Sequence, residues 1–561
     1  MKAVVVGGVA AGMSAAARLR RLDSGAEIIV LERGGYVSFA NCGLPYQLGG
    51  VIPDRDALLL QTPATLRERF GLDVRVHHDV TAVDPAARTV TVLDVGSGRT
   101  YRETYDTLVL APGAAPIVPA VPGAARGLTL RSVEDLDALQ AAVAAVAGHP
   151  RTAVVVGGGF IGVETAENLT RRGLATTIVE LAPQVLAPLD PELASLVDAE
   201  LRRHGVDVRL GRSVEAVGPA SVHLSDGDVL PADVVVFAIG VRPDTTLASA
   251  AGLALGPRGG VLVDAGFRTS DPHIYAVGDA VEKVDAVDAS AVLIPLANLA
   301  NRAGRRAADA VAGLPAVAHP AHGTAIVKVF GLTAAVTGWS EKRARAAGRP
   351  FAVVHTHAPS HAAYYPGAQP MALKLVYDPT DGAILGAQAV GGDGTDKRID
   401  VLSTAMAGGL TAPALAELEL AYAPQYGSAK DPVNILGYIA ENRMRGFSTA
   451  VQWHELAGLV ADGALVIDVR APAEYAGGHV PCAHNIPLDQ LRDRLDEVPQ
   501  GRRAVVYCQV GQRAHVAAAL LRGLGRDVAN LDGGWLTWQA ATGTTTGKGG
   551  RSALPQMAPS A

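Results

Sequence analysis

The sequence predicts an α/β chain of several domains, and three observations carry that reading. A strand–glycine turn–helix–strand pattern occurs twice, at residues 1–32 and 151–180. A mixed α+β stretch follows from 320 to 445, with strands near IVKVF and MALKLVY and a helix around DVLSTAMAGG. Residues 446–541 then form a second, smaller α/β pattern of their own.

With 561 residues the chain exceeds one hydrophobic core, so three to five domains are expected. A net charge of −6, from 49 basic and 55 acidic residues without a long basic run, sets nucleic acid and anionic membrane aside as partners. No apolar run reaches the roughly 18 residues of a membrane-spanning helix. The N-terminal MKAVVVGGVAAGMSAAARLRR has the basic start, apolar stretch and Ala-x-Ala pattern of a secretory signal. The same residues build a complete strand, turn and helix that cleavage would destroy, so a cytoplasmic protein is expected. Three cysteines, Cys42, Cys482 and Cys508, cannot make a disulfide framework, and each has a bland reading as a small apolar residue.

The second repeat is the cleaner nucleotide site. The strand in AVVVGGGFIGVE runs into Gly157, Gly159 and Gly162, and Glu180 closes the next strand, TTIVE. Such glycines allow a tight turn and let backbone approach a pyrophosphate at a helix N-terminus. The acid about 20 residues on accepts from ribose hydroxyls and repels a 2′-phosphate, so NADH is expected over NADPH. The first repeat carries Gly7, Gly8 and Gly12, with Val9 in place of the middle glycine and Glu32 after IIVLE in the ribose position. Two more segments accompany it. TLVLAPGAAP (107–116) turns at Ala111 and Gly113, and TSDPHIYAVGDA (269–280) ends in Gly278-Asp279-Ala280.

These segments, in this order, resemble the FAD-contacting segments of two-dinucleotide-binding-domain flavoprotein reductases over residues 1–445. The resemblance implies that Asp279 bonds the flavin ribityl chain. It implies an FAD-binding domain in two parts, 1–112 and 266–320, with a connecting segment at 113–150. A nicotinamide-binding domain at 151–265 and an α+β dimerisation domain at 321–445 complete the core. The Gly/Ser/Thr/Pro-rich 542–561 reads as a disordered tail.

Cys42 lies in SFANCGLPY. Such reductases often carry a CxxxxC pair, but residue 47 is Gln, so Cys42 works alone as a mixed disulfide, persulfide or sulfenic acid. Single-cysteine oxidases and peroxidases carry a His where this chain has Ala10, which argues against peroxide chemistry. GGVAAG, RRLD, SFANCGLPY, YYPG, DKRIDVLSTAM and AYAPQYGSAKDPVN resemble segments of the coenzyme A-disulfide reductases instead. That resemblance implies a mixed disulfide of Cys42 with CoA, and a homodimer in which Tyr364 and Tyr422 line the site from the partner subunit. It also implies that Arg21, Ser38, Asn41 and Arg302 contact CoA. A thiolate at Cys42 is expected to gain from positive charge and a helix N-terminus. Packing at a core or interface is the bland alternative for the two tyrosines.

Residues 446–541 resemble a rhodanese domain, through VIDVRAPAEYAGGHVPCAHNIPL (466–488), VVYCQVGQRAHVAAALL (505–521) and LDGGW (531–535). The loop from Cys508 to Arg513 follows a buried strand and leads into a helix. Its amides can form an anion nest around a sulfur on Cys508, with the helix dipole and Arg513 favouring the anion. Asp468, Arg470, Glu474 and His479 are expected as scaffold that pins the loop, and Cys482 as inert. His355, His357 and His361 lack an accompanying acid or cysteine in sequence, so no metal site is expected.

Together these expectations describe a reductase that uses NADH and FAD to cleave sulfur–sulfur bonds in CoA persulfide or polysulfide, releasing sulfide. Two alternatives stay open: a CoA-disulfide reductase with an independent rhodanese, and a non-enzymatic redox sensor or sulfur carrier.

Overall fold

The computed structural model describes residues 1–146 and 151–543. The end of the connecting segment, 147–150, and the expected tail from 544 onward lie outside the described residues. The chain forms two compact units, 1–183 with 202–323 and 184–201 with 324 onward. Residues 184–201, expected within the nicotinamide-binding segment, thus group with the second unit.

The first unit contains two parallel sheets. One has the spatial order Ile274–Ala276, Thr107–Leu110, Lys2–Val6, Glu27–Leu31, Asp73–Arg75. The other runs Asp207–Leu210, Ala175–Glu180, Thr152–Val156, Val234–Phe237. The central strands KAVVV and TAVVV each carry the apolar run AVVV because both faces are covered, and Val4, Val5, Val154 and Val155 are buried. Each glycine turn sits at the C-terminal end of its central strand and opens a helix, Ala10–Leu22 in one case and Phe160–Arg171 in the other. These positions are the crevices where doubly wound sheets take ligands. In the connecting segment, Ala114–Pro116 pairs antiparallel with Val241–Pro243, and Val133–Ala145 is a helix capped by Ser132.

The second unit begins with a five-stranded antiparallel sheet, in spatial order Ala325–Val329, Leu332–Gly338, Ile384–Gly391, Pro370–Tyr377, Ala352–Pro359. The helices Thr395–Ala407 and Pro432–Met444 join the core that this sheet packs, through Leu402, Leu436 and their neighbours. A smaller parallel sheet follows, in spatial order Ala450–Val451, Val528–Leu531, Ala504–Tyr507, Leu465–Asp468, His484–Asn485. It has an apolar core on each face, one around Ala517 and Leu521 and one around Trp535 and Trp538. Cys508 follows its central strand directly.

The strand Pro370–Tyr377 buries a lysine. Lys374 Nζ stands 3.0 Å from Asp190, 2.7 Å from Glu341, and against Glu192. The three carboxylates lie close enough together to hold a metal ion, but the ammonium supplies the positive charge there. Burial alone would discharge Lys374; the three anions outweigh it and hold the lysine charged.

Candidate active sites

The first glycine turn and Asp279 form one site in the first unit. Gly8 N donates to Glu32 Oε2 at 2.7 Å and Gly34 N to Glu32 Oε1 at 2.8 Å, which fixes the carboxylate at the mouth of the turn. Asp279, in the short turn Gly278–Ala280, is half-buried, its side chain 17% exposed. Its nearest cation is Arg131, 3.7 Å away, and its Oδ1 has no hydrogen-bond partner. Burial raises its pKa, with Arg131 and Lys283 opposing. A buried carboxylate oxygen without a donor demands one, and the hydroxyls of a ribityl chain are such donors, so these residues fit FAD. Ala111 and Gly113 line the turn after Thr107–Leu110, and Gly113 has a positive φ of 76°.

The second glycine turn repeats the arrangement. Gly158 N donates to Glu180 Oε2 at 2.6 Å and Ala182 N to Glu180 Oε1 at 2.7 Å. A side chain on Gly162 would put its Cβ 2.0 Å from Gly157 O, so only glycine lets the helix start this close to the strand. A Cβ on Gly159 would meet nothing within 4 Å, which leaves open space for a pyrophosphate.

Cys42 occupies the single turn Asn41–Gly43, ahead of the five-residue helix Leu44–Leu48. Its sulfur reaches solvent, and its thiol donates to Asn41 Oδ1 at 3.7 Å. The expected positive surroundings are not what the chain provides. Partial desolvation, then Glu164, then Asp279 push the thiol up. The helix after Cys42 is too short to offset two carboxylates, since the dipole acts through aligned turns. Glu164 and Tyr46 are neighbours that sequence reasoning missed. Tyr46, four residues after Cys42, donates its hydroxyl to Glu164 Oε1 at 2.7 Å, and Glu164 lies on the helix that the second glycine turn opens. The two residues stand 118 positions apart, and no local pattern joins them. Replacing Glu164 with Gln removes an anion beside the sulfur. Glu164→Gln is therefore expected to lower the pH midpoint for alkylation of Cys42, which iodoacetamide kinetics followed by mass spectrometry would measure; an unchanged midpoint would show that Glu164 does not govern this thiol.

The residues expected around CoA all lie in the first unit, with Ser38 and Asn41 half-buried. Ser38 has a positive φ of 48°, and its N donates to Gly8 O at 2.9 Å. Arg21 and Arg302 are exposed, on the helices Ala10–Leu22 and Ala297–Val311. In the second unit Tyr364 and Tyr422 are both exposed, and their hydroxyls are hydrogen-bonded to one another at 3.0 Å.

Cys508 is buried, and Gly511 N donates to its sulfur at 3.2 Å. Helix Gln512–Gly523 starts immediately after Gly511. Arg513 is committed to Glu474 by two hydrogen bonds, of 2.7 and 2.6 Å, and the Cys508 sulfur makes a smaller contribution to holding its charge. Arg470 is buried against Asp468 and reaches Gln509 Oε1 of the loop at 3.1 Å. His479 stacks on Tyr475 instead of reaching toward the loop. Cys482 is exposed in a turn with a φ of 61°. Of the three histidines, His355 is buried and His357 half-buried, both hydrogen-bonded to protein groups, while His361 interacts with Ala362 O and the ring of Tyr365.

Comparison with known proteins accounts for this layout. Residues 1–304 match the family model described as pyridine nucleotide-disulphide oxidoreductase, 324–431 its dimerisation domain, and 452–541 the rhodanese-like domain. The chain is 35% identical over 441 residues to the coenzyme A disulfide reductase of Staphylococcus aureus (strain JH9), covering 78% of this chain and 100% of that one. The crystal structure of reduced Bacillus anthracis CoADR-RHD superposes with a TM-score of 0.95 at 48% identity, covering 97% of this chain and 98% of that one. A NAD-dependent persulfide reductase from A. fulgidus gives a TM-score of 0.90 at 37% identity, over 96% and 100% of the two chains. No helix among the described residues is long and apolar enough to cross a membrane. The chain belongs to the pyridine nucleotide-disulphide oxidoreductases, flavoprotein enzymes that use FAD and a pyridine nucleotide, and carries a C-terminal rhodanese domain.

Proposed function

We propose that this enzyme reduces CoA persulfide and related polysulfides with NADH and releases sulfide. The observation that carries the reading is the joining of a lone cysteine in a flavin-type site, Cys42, to a second cysteine, Cys508, whose sulfur receives a loop amide. The relative named as a persulfide reductase is similar along 96% of this chain, rhodanese segment included, whereas the coenzyme A disulfide reductase matches 78%. The CoADR-RHD structure spans 97% of this chain as well, so both full-length relatives share the rhodanese segment, and it is the sulfane-sulfur chemistry of that segment that favours persulfide over plain CoA disulfide.

The reaction balances as CoA–S–SH + NADH + H⁺ → CoA–SH + H₂S + NAD⁺. Gly7, Gly8, Gly12, Glu32, Ala111, Gly113, Gly278 and Asp279 would hold FAD, which would supply two-electron transfer between nicotinamide and sulfur. Cys42 attacks the CoA sulfur, expels hydrosulfide and is left in a mixed disulfide with CoA. Two electrons then break that bond and restore both thiols. Tyr364 and Tyr422, acting across a homodimer on the neighbouring subunit's Cys42, bond the departing thiolate. Arg21, Ser38, Asn41 and Arg302 hold CoA, the arginines at its phosphates. Cys508 collects sulfane sulfur as a persulfide, with Arg513 beside it, and the enzyme works in the cytoplasm.

The test is stoichiometric. Anaerobic assays with CoA persulfide should yield one sulfide per NADH oxidised, and activity on CoA disulfide should be lower. A faster rate with CoA disulfide and no sulfide from the persulfide would make the rhodanese an independent sulfurtransferase. The nicotinamide is tested separately. Gly157, Gly159 and Gly162 would cradle the pyrophosphate, and Glu180, fixed by Gly158 N and Ala182 N, would accept from the ribose hydroxyls. NADH is therefore expected to exceed NADPH in kcat/KM by about tenfold or more, since an anion there repels the 2′-phosphate. Initial rates with both cofactors decide it.

A further inference from the structure

The Cys508 loop rests on a segment that the dimerisation domain holds in place. Trp535 N donates to Cys508 O at 2.8 Å, and Leu536 N to Gln509 O at 3.1 Å. A Cβ on Gly534 would stand 2.4 Å from Cys508 O and 2.9 Å from Gly511 N, so the two backbones touch. Asp532 opens this supporting segment and is buried. Its Oδ2 accepts from His355 N at 3.0 Å, faces His355 Nδ1 at 2.8 Å and accepts from Gln452 Nε2 at 3.1 Å, while its Oδ1 pairs with Arg443. His355 lies on the strand Ala352–Pro359 of the dimerisation sheet, and its Nε2 faces Glu192 Oε1 at 3.0 Å. A Cβ on Gly533 would stand 2.9 Å from the His355 Cβ, so the ring seats directly beneath the segment.

Both imidazole nitrogens therefore face carboxylate oxygens. A neutral ring carries one N–H and would set its bare nitrogen against an anion; only the imidazolium donates both ways. The surrounding charges agree. Asp190 and Glu192 from the helix Pro191–Arg203 and its cap, Glu341 from Glu341–Ala346, and Asp532 supply four anions. Lys374 and Arg443 supply two cations. His357, two residues along the strand, is held neutral: burial, then the charge on His355, pushes it down to about 4, and its Nε2 is 2.7 Å from Thr537 Oγ1. Burial opposes charge on His355 itself, yet Asp532 and Glu192 outweigh it and raise its pKa.

We propose that His355 is a positioning residue for Cys508: as a cation bridging Glu192 and Asp532, it fixes the 532–536 segment on which the Cys508 loop is built, so sulfur transfer depends on a charge supplied by the dimerisation domain. The inference rests on the reading of Cys508 as a sulfane-sulfur carrier. The sign of the pH effect follows from the raised pKa. The bridge is complete below it and is lost as pH rises through it, so transfer declines on the alkaline side.

The test uses the full-length flavoprotein and His355→Gln, which keeps a donor without the charge. Sulfur transfer from thiosulfate to a thiol would be followed from about pH 6 to 10, beside NADH-dependent reduction of CoA disulfide. In His355→Gln, kcat for transfer should fall about tenfold and the alkaline decline should vanish, with CoA disulfide reduction within about twofold of wild type. Wild-type kcat with the same alkaline decline in the variant would overturn the proposal. Hydrogen–deuterium exchange of wild type across the same pH range supplies a second measurement. Protection of peptides over 508–511 and 532–536 should drop with rising pH, after correction for intrinsic exchange, while 465–468 stays protected. Unchanged protection there would overturn the proposal even if His355→Gln does not fold. If wild type transfers no sulfur from thiosulfate, the role of Cys508 fails, and the exchange measurement still decides whether His355 positions the loop.

Discussion

Cys42→Ser is expected to lose roughly a thousandfold or more of NADH-driven reduction of CoA persulfide and CoA disulfide, about 4 kcal/mol of transition-state stabilisation. The serine hydroxyl is a far weaker nucleophile at neutral pH and cannot form the mixed disulfide. Flavin should stay bound at wild-type stoichiometry, because Glu32, held by Gly8 N and Gly34 N, and the half-buried Asp279 do not depend on the sulfur. NADH should still bleach the flavin of the variant in a single anaerobic turnover. Steady-state rates and the flavin absorbance spectrum measure the two halves independently. Full turnover in Cys42→Ser would end the single-cysteine mechanism. A variant that loses both flavin and activity would instead assign Cys42 a structural part.

Cys508→Ser should have an equally large effect on a different reaction. Transfer of sulfane sulfur from thiosulfate to an acceptor thiol should fall roughly a thousandfold, since the residue that carries the sulfur is gone. Reduction of added CoA disulfide should stay within about twofold of wild type, because that substrate reaches Cys42 unaided. Reduction of bulk polysulfide should fall by an intermediate amount, if Cys508 is where such sulfur enters. The rhodanese domain is not on a free tether. Arg443 and Gln452 bridge Asp532 and Val353 O, and Arg522 binds Phe447 O, so the segment between the two domains is fastened at both ends. Equal loss in all three assays would make Cys508 obligatory or structural. No loss in any would remove the rhodanese from this pathway.

The fold was legible because its signals are local. A parallel strand buried on both faces reads as an unbroken apolar run, and a turn that presses a helix against a strand needs glycine at fixed spacing. Both facts lie within about thirty residues of chain at Gly7–Glu32 and at Gly157–Glu180, where the structure holds both acids against their turns. The Cys508 loop was legible for the same reason, since strand, loop and helix are contiguous. The charge around Cys42 was not. Helix-dipole reasoning over the neighbouring residues suggested an activated thiolate, but Glu164 and Asp279 come from distant segments and push the thiol up.

What the sequence determined by itself is the order of the domains, the two glycine turns with their acids, and the local settings of the two cysteines to which the proposed function gives its chemistry. Tertiary structure alone decided which charges surround those sulfurs. His355, near two other histidines in sequence, suggested at most a metal ligand; folded, it is a bridge between Glu192 and Asp532. Lys374 lies in an apolar strand and meets three carboxylates from two other segments. The physical reason is that a charge is tolerated in the interior only through partners brought to it by folding, and Coulomb energy depends on distance in space and on exclusion of water, neither of which is written in the spacing of residues along the chain.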